Sequence, residues 1–215
     1  MSSAAAAEPS RNCPLCPRLV EFRALHRAGY PDWFNAPVPP FGGEDVRLLI
    51  VGLAPGLRGA NRTGRPFTGD HAGVLLYGTL KKFGFARGAY VERADDGLAL
   101  LDCRITNAVR CVPPENKPEP PEIKSCNRFL AAELQRLPRL EMVLALGAIA
   151  HQAVVAAAGE RRAAFPFAHG AVHALASGLL LADSYHCSRY NTNTGKLTVE
   201  MFESVFAEIR RRLGG

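Results

Sequence analysis

Residues 46–70 read VRLLIVGLAPGLRGANRTGRPFTGD, a strand pattern followed by a glycine-rich loop. The segment Val46–Gly52 is apolar and rich in β-branched residues, and it has no helical period. This pattern predicts a strand that is buried on both faces. Similar segments occur at Ile105–Val109 and Met142–Gly147, with helical patterns between them. Buried strands that alternate with helices are typical of a three-layer α/β/α fold with a mainly parallel sheet.

The carboxyl-terminal part of the chain completes this sheet. Residues 171–175 and 179–185 predict a hairpin whose second half enters the sheet, which gives four strands in total. Ligands of such folds bind beyond the carboxyl ends of the strands. We therefore expect the loops 52–70, 107–118 and 186–196 to converge on one site.

Composition limits the classes of function. The formal net charge is +6 and the pI is about 9.2, which favours a polyanionic partner. No apolar run approaches the roughly 18 residues of a membrane span, and the first residues lack the basic region of a signal peptide. Six cysteines in a chain without a recognisable secretion signal predict a reducing compartment, in which cysteines bind metals more often than they form disulfides. The length suits one domain over residues 1–215, with residues 1–10 as a flexible leader.

Four cysteines have the spacing of a metal site: Cys13, Cys16, Cys111 and Cys126. Four thiolates can hold either one tetrahedral zinc ion or one iron–sulfur cluster. The wide spacing of the second pair is unusual for a zinc ribbon and favours the larger cluster. The alternative is four buried thiols without a metal. A metal here would fasten the N-terminal arm to the body of the fold.

The first of the three loops also suits a nucleic-acid ligand. Its glycines permit close backbone approach, its arginines Arg58, Arg62 and Arg65 suit phosphate, and Phe67 offers a stacking face. A glycine-rich loop also occurs in nucleotide-binding enzymes. A nucleotide-binding enzyme is disfavoured, because the sequence lacks the phosphate-binding motif G-x-x-x-x-G-K-[ST]. It also has no acidic residue at the position that would bind a ribose hydroxyl.

Several blocks of this sequence resemble the uracil-DNA glycosylase superfamily, and most closely the family 5 (type b) branch of its iron–sulfur members. The blocks are Gly52–Pro55 with Gly59–Arg65 and Phe67–Asp70, then Thr106–Pro114, then His186-x-Ser188-x-x-Asn191. The resemblance covers nearly the whole chain. It implies that the four cysteines bind a [4Fe-4S] cluster.

The resemblance also implies roles for individual side chains. Phe67 would stack on a flipped base, and Asn107 would hydrogen-bond its Watson–Crick edge, because an amide both donates and accepts. His186 would donate to the base O2 and stabilise the departing base anion. The backbone around Gly52 and Ala54 would line the same pocket.

The last block is expected to contact DNA outside that pocket. Ser188 would bind a phosphate, and Asn191 belongs to the same DNA-binding block. Tyr190 stands where relatives place an apolar wedge that fills the gap left by the flipped nucleotide. Cys187 occupies a position where a proline is usual, which bears on the rigidity of this loop.

Two positions depart from the family pattern inside the pocket. Ala54 lies where well-known members carry an acidic residue that activates water. Asp70 is the first candidate to replace that acid, and Asn61 is the second. Asp70 equally suits the N-cap of the next helix, and both readings stay open. Gly56 stands where uracil-only relatives have a bulky aromatic residue, which implies a roomier pocket.

The resemblance implies a monofunctional DNA glycosylase of base excision repair. It would excise uracil and other deaminated bases from DNA and leave an abasic site. A monomer in the cytoplasm of a prokaryote, associated with the nucleoid, is expected. The alternative, favoured by the missing acid at Ala54, is a non-catalytic nucleic-acid binding module with a structural metal cluster.

Overall fold

The structure is a computed structural model that describes residues 8–214. In chain order, the strands of the described residues are β1 (Leu48–Gly52), β2 (Ala86–Arg87), β3 (Ala99–Leu100), β4 (Cys103–Asn107), β5 (Met142–Leu146), β6 (Val172–Ala174) and β7 (Leu180–Ser184). The central sheet has the strand order β4-β1-β5-β7-β6. The first four of these strands run parallel, and β6 runs antiparallel to β7. The strands β2 and β3 pair separately as a short antiparallel ribbon.

The α/β class and the mainly parallel sheet confirm the prediction, but the predicted count of four strands is wrong. Within residues 8–214 the central sheet has five strands, because both halves of the predicted hairpin enter it. Val172 of β6 lies opposite Ala182 of β7. Strand β6 has only three residues, none of them fully buried. So short an edge strand leaves little hydrophobic pattern in a sequence.

The helices form the two outer layers. In chain order they are α1 (Pro17–Gly29), α2 (Ala60–Thr63), α3 (His71–Lys82), α4 (Pro120–Arg136), α5 (Ala148–Ala157), α6 (Arg189–Asn193) and α7 (Val199–Arg212). Alternate residues of β1 face opposite layers, as strand geometry requires. Leu48 and Ile50 pack with α3 and α7, whereas Leu49 and Val51 pack with α4 and α5.

The parallel strands place their carboxyl ends along one edge of the sheet. Gly52, at the end of β1, lies opposite Asn107, at the end of β4. Leu146 of β5 lies opposite Ser184 of β7. The three loops that follow β1, β4 and β7 therefore begin along the same edge of the sheet, which is the arrangement that the sequence predicts for a binding site.

A buried ion-pair network joins β4 to α4. Glu133 is fully buried, and its carboxylate accepts hydrogen bonds from Arg104 of β4 at 2.8 Å and from Arg110 just beyond β4. Glu8 extends the network, because its Oε2 lies 3.5 Å from Nη1 of Arg110 and its Oε1 accepts from Arg136 of α4 at 3.0 Å. Glu8 is therefore bound to α4, in contrast to the predicted leader over residues 1–10. Residues 1–7 of that leader lie outside the described residues.

Within residues 8–214, no helix combines the length and the apolar character that crossing a bilayer requires.

Candidate active site

A pocket of about 280 Å³ opens at the carboxyl edge of the sheet. All three predicted loops contribute to its walls, so their predicted convergence is confirmed. The lining residues are Leu53, Ala54, Pro55, Gly56, Ala60, Phe67, Asp70, His71, Ala72, Asn107, Asn116, His186, Ser188 and Arg189.

The end of β1 brings two of the predicted base-binding side chains together. A β-carbon built on Gly52 would lie 2.5 Å from Oδ1 of Asn107 and 2.5 Å from Cζ of Phe67. Real β-carbon contacts are longer than this, so only glycine allows the amide and the ring to meet there. The lack of a side chain at Gly52 therefore lets the side chains of Asn107 and Phe67 approach the backbone there. It is not itself among the residues that line the pocket.

Phe67 and His186 form one wall of the pocket. Their ring centroids are 5.9 Å apart, and the rings are inclined by 28°. Phe67 is buried and has a φ of +52°, which is the left-handed region that side chains with a β-carbon rarely adopt. This backbone conformation directs the ring toward the end of β1.

His186 is prepared to act as a neutral hydrogen-bond donor. Burial lowers its pKa to about 4, because the charged imidazolium loses solvation there. Within residues 8–214, no group hydrogen-bonds to its ring. The carbonyl of His186 accepts from Nδ2 of Asn191 at 2.8 Å. The side chain of Asn191 thus holds the backbone of His186, whereas the sequence predicts a contact of Asn191 with DNA.

Asp70 caps the next helix, as one of the two readings of the sequence predicts, and it also lines the pocket. Its Oδ1 accepts from the backbone N–H of Gly73 at 3.1 Å and caps α3. Its Oδ2 faces the glycine loop, because a β-carbon built on Gly56 would lie 3.4 Å from that oxygen. Burial raises the pKa of Asp70 above its ordinary value. The residue lines the pocket with one carboxylate oxygen uncommitted to the cap.

Asn61, the second candidate for water activation, does not lie in the pocket. It is buried, and its Nδ2 donates to Oδ1 of Asn35 at 2.8 Å. The backbone N–H of Asn35 in turn donates to the carbonyl of Asn61. Asn61 therefore fastens the glycine loop to the segment that follows α1.

The three arginines of the glycine loop have different environments. Arg58 and Arg62 are exposed, as phosphate binding requires. Arg65 is buried, and its guanidinium donates to both carboxylate oxygens of Asp96, at 2.7 and 2.8 Å. The prediction of a phosphate contact is wrong for Arg65, because its donors are already satisfied inside the protein.

The loop after β7 is firmly held despite Cys187. Its buried thiol donates to the carbonyl of Ala72 at 3.6 Å. Ser188 caps α6 by accepting from the N–H of Asn191 at 3.4 Å, and it also lines the pocket. Tyr190 on α6 is 74% exposed, as a wedge residue must be.

Sequence reasoning missed Asn116 and Arg189 as pocket residues. Asn116 has a φ of +57° and directly follows Glu115, whose φ is +53°. Two consecutive left-handed residues without glycine turn the chain back toward the pocket mouth. The proline-rich run Pro113-Pro114 before them was the available signal for such a turn.

The four predicted metal ligands are brought together around a second pocket. It is lined by Cys13, Cys16, Cys111 and Cys126, with apolar neighbours that include Leu19, Val109 and Phe129. Among the described residues all six cysteines are free thiols, and Cys103 and Cys187 lie elsewhere.

The surroundings of these sulfurs fit a bound cluster with thiolate ligands. The buried guanidinium of Arg23 lies 3.5 Å from Sγ of Cys111 and donates to the carbonyl of Cys13 at 2.9 Å. The backbone N–H of Arg110 donates to Sγ of Cys126 at 3.3 Å. A buried cation and a backbone donor both compensate the negative charge that four thiolates bring.

Comparison with known proteins identifies the family of this chain. The model of the family described as the uracil DNA glycosylase superfamily matches residues 39–210. The chain is 48% identical over 208 residues to the type-5 uracil-DNA glycosylase of Thermus thermophilus, covering 94% of each chain. It is 42% identical over 205 residues to the protein of that name from Pyrobaculum aerophilum, covering 94% of this chain and 87% of that one. It is 40% identical over 210 residues to the one from Mycobacterium tuberculosis, covering 94% and 78%. The chain therefore belongs to the uracil DNA glycosylase superfamily and, within it, to the type-5 uracil-DNA glycosylases.

Proposed function

We propose that this protein hydrolyses the N-glycosidic bond of uracil in DNA. The observation that carries the proposal is the meeting of Phe67, Asn107 and a neutral His186 in one pocket at the sheet edge. The relatives named above are called type-5 uracil-DNA glycosylases, which agrees with that chemistry.

The pocket holds an extruded base. A glycosylase must take its target out of the duplex, and the flipped base then needs a stacking face and hydrogen-bond partners. The ring of Phe67 supplies the face. The amide of Asn107 can donate to a uracil carbonyl and accept from the ring N–H, which matches the two kinds of group on the uracil edge.

His186 stabilises the leaving group. As the bond between C1′ and N1 breaks, the electron pair stays on the base and negative charge grows on its carbonyl oxygens. A neutral imidazole N–H that points at O2 stabilises this charge more in the transition state than in the ground state. Because the pKa of His186 is about 4, the imidazole stays neutral across the physiological pH range.

Asp70 orients and deprotonates the attacking water. Water adds to C1′, and the proton that it loses passes to the carboxylate oxygen that does not cap α3. Ala54 provides no such group, so Asp70 takes the place of the acid that other members carry there. No lysine is among the residues that line the pocket in the described part of the chain, so we infer that the enzyme leaves an abasic site without cleaving the strand.

Pocket shape extends the substrate range. Gly56 leaves open space beside Asp70, with nothing closer than 3.4 Å to a β-carbon built there. A pocket without a steric block rejects an added group by only about 1–3 kcal/mol. We infer activity on other deaminated bases in addition to uracil.

A [4Fe-4S] cluster is proposed for the cysteine pocket, held by Cys13, Cys16, Cys111 and Cys126. Hydrolysis of a glycosidic bond needs no electron transfer, so the cluster would supply a structural crosslink. When bound, it would connect Cys13 and Cys16 to Cys111 in the loop after β4 and to Cys126 of α4. We propose one domain, a monomer, and a location in a prokaryotic cytoplasm at the nucleoid, where the DNA substrate lies.

DNA itself is the proposed partner outside the pocket. The net charge of +6 and the exposed Arg58, Arg62 and Arg189 suit a phosphate backbone. We propose that Ser188 binds a phosphate and that Tyr190 enters the gap left by the flipped base.

The test is base release from oligonucleotides that contain one uracil, with iron-loaded protein and both single- and double-stranded substrates. We expect free uracil and an alkali-labile abasic site. Binding of the DNA without release of uracil would instead support a nucleic-acid binding module with a structural cluster.

A further inference from the structure

The backbone of Phe67 needs support from other parts of the protein. Its φ of +52° is uncommon for a residue with a β-carbon. Such conformations persist only where surrounding contacts hold them, and they concentrate at functional sites. The contacts that hold Phe67 therefore control where its ring points.

Two tyrosine hydroxyls bind the backbone carbonyls of this turn. Tyr90 donates to the carbonyl of Phe67 at 3.1 Å, and Tyr77 donates to the carbonyl of Pro66 at 2.6 Å. A β-carbon on Gly73 would collide with both the Phe67 carbonyl and the Tyr90 hydroxyl. The missing side chain at Gly73 of α3 therefore leaves room for the hydrogen bond between the Tyr90 hydroxyl and the Phe67 carbonyl.

Tyr90 is itself held by a buried ion pair. It lies on the loop 88–98 between β2 and β3, which also carries Asp96. Arg65 donates to both oxygens of Asp96, and its guanidinium carbon is 5.9 Å from the centroid of the Tyr90 ring. The ring of Tyr90 also packs on Tyr77, with centroids 4.7 Å apart.

The loop 88–98 is therefore fixed to the turn of Phe67 at two points. Asp96 accepts further hydrogen bonds from the N–H groups of Val91 and Leu98, at 3.1 and 3.0 Å, which shape the loop around the ion pair. Tyr90 is not among the residues that line the pocket. Its hydroxyl therefore does not contact the substrate base, and its hydrogen bond reaches the pocket through the backbone of Phe67.

We propose that Tyr90 is a positioning residue for base excision. Its hydroxyl holds the Phe67 carbonyl, and this fixes the left-handed turn that presents the Phe67 ring to the flipped base. The proposal rests on the proposed function, since it requires Phe67 to stack on the substrate base.

The experiment compares Tyr90→Phe, Phe67→Leu and the double variant in single-turnover uracil release with saturating enzyme. Tyr90→Phe keeps the aromatic ring and removes only the hydroxyl. We expect it to slow release roughly two- to tenfold, the effect of losing one hydrogen bond. In the Phe67→Leu background the same substitution should have no further effect. The control Tyr30→Phe removes a hydroxyl from an exposed tyrosine at the end of α1 and should match the parent protein.

The thermal midpoint of each variant is measured in parallel, together with affinity for DNA. A purely structural role predicts a lower midpoint for Tyr90→Phe and an equal loss of rate in both backgrounds, and this result overturns the proposal. An unchanged rate in Tyr90→Phe overturns it as well. If Phe67→Leu is as active as the parent, then the stacking role fails first and the positioning role fails with it. Inactive parent protein would instead refute the proposed function as a whole.

Discussion

The base pocket and the cysteine pocket share one loop, yet they are assembled differently. Asn107 is the last residue of β4, and Cys111 lies in the loop that follows it. At the base pocket, strand pairing sets Gly52 opposite Asn107, so the backbone of the sheet determines the geometry. At the cysteine pocket the N-terminal arm joins through side chains, such as Arg18 to Glu122 at 2.8 Å. Strand pairing in the central sheet therefore preorganises the base pocket, whereas contacts between side chains of separate segments assemble the cysteine pocket.

The largest expected effect lies in the preorganised pocket. Replacing His186 with Ala should slow the chemical step about 10²–10³-fold, the usual result of removing one donor to a developing anion. Affinity for DNA should change little, because the interaction grows only in the transition state. Single-turnover uracil release and DNA titration check the two quantities. His186→Gln, which keeps an N–H donor, should lose less, and equal losses in both variants would contradict this account.

The next effect separates the two functions of Asp70. Asp70→Asn keeps a good N-cap but removes the base, so release should fall about 10²-fold or more while stability is retained. Asp70→Ala should lose the same activity and also about 1 kcal/mol of stability. Thermal unfolding distinguishes the two variants, because only Asp70→Ala should have a lower thermal midpoint than the parent protein.

The acid limb of the rate profile provides an independent check on Asp70. Burial raises the pKa of this carboxyl, and the reaction needs its ionised form. Activity should therefore be present above the raised pKa and fall as the pH drops through it, at a higher pH than an ordinary aspartate would give. His186, with a pKa of about 4, should cause no change between pH 6 and 8. An acid limb that persists in Asp70→Asn would assign it to another group.

Removal of a cysteine ligand tests the second pocket. Cys111→Ser should lose most of the iron and lower the thermal midpoint by several degrees, because a structural metal site contributes folding energy directly. The ratio of rates on uracil and hypoxanthine should stay constant. Iron analysis, absorbance and thermal melting are the measurements, with Cys103→Ser as a control at a buried cysteine outside the site. Zinc in the purified protein would refute the cluster.

The smallest expected effect concerns base choice. Gly56→Tyr should narrow the enzyme toward uracil, since a ring there would fill space beside Asp70. The ratio of uracil to hypoxanthine rates should rise about tenfold, within the range of a steric discrimination. A panel of lesion-containing oligonucleotides measures the ratio. Strict uracil specificity of the parent protein would show that other residues already close the pocket.

Local sequence patterns predicted the elements that position the site. The buried run of β1 and its repeats revealed a parallel sheet, and that topology alone required the following loops to meet. Within those loops, the resemblance to the uracil-DNA glycosylase superfamily singled out Phe67, Asn107 and His186, which the structure places in one pocket. The sequence predicts β6 as half of a hairpin but not as a strand of the central sheet, because two half-buried residues and one exposed residue carry too little periodicity.

Long-range pairing of polar groups was not predictable. Arg65 resembled a phosphate ligand until Asp96, 31 residues later, was found to satisfy both of its terminal nitrogens. The contacts of two histidines with Asp183, outside the pocket, could not be predicted from the sequence either. Nδ1 of His151 lies 2.7 Å from Oδ1 of Asp183, and Nε2 of His173 lies 3.2 Å from Oδ2 of the same carboxylate. These are hydrogen-bond distances, and neither spacing has a signature in the sequence.

The Arg104–Glu133–Arg110 network implies an order of assembly. Its central ion pairs link α4 directly to the end of β4, so we expect Cys111 and Cys126 to be neighbours once the sheet has formed. The folded sheet and α4 then present two of the four proposed cluster ligands. The other two, Cys13 and Cys16, lie in the N-terminal segment that covers this side. We expect an iron donor to meet Cys111 and Cys126 first, with Cys13 and Cys16 closing over the cluster afterwards. A chain deprived of iron should accordingly keep its sheet and expose the arm to a protease.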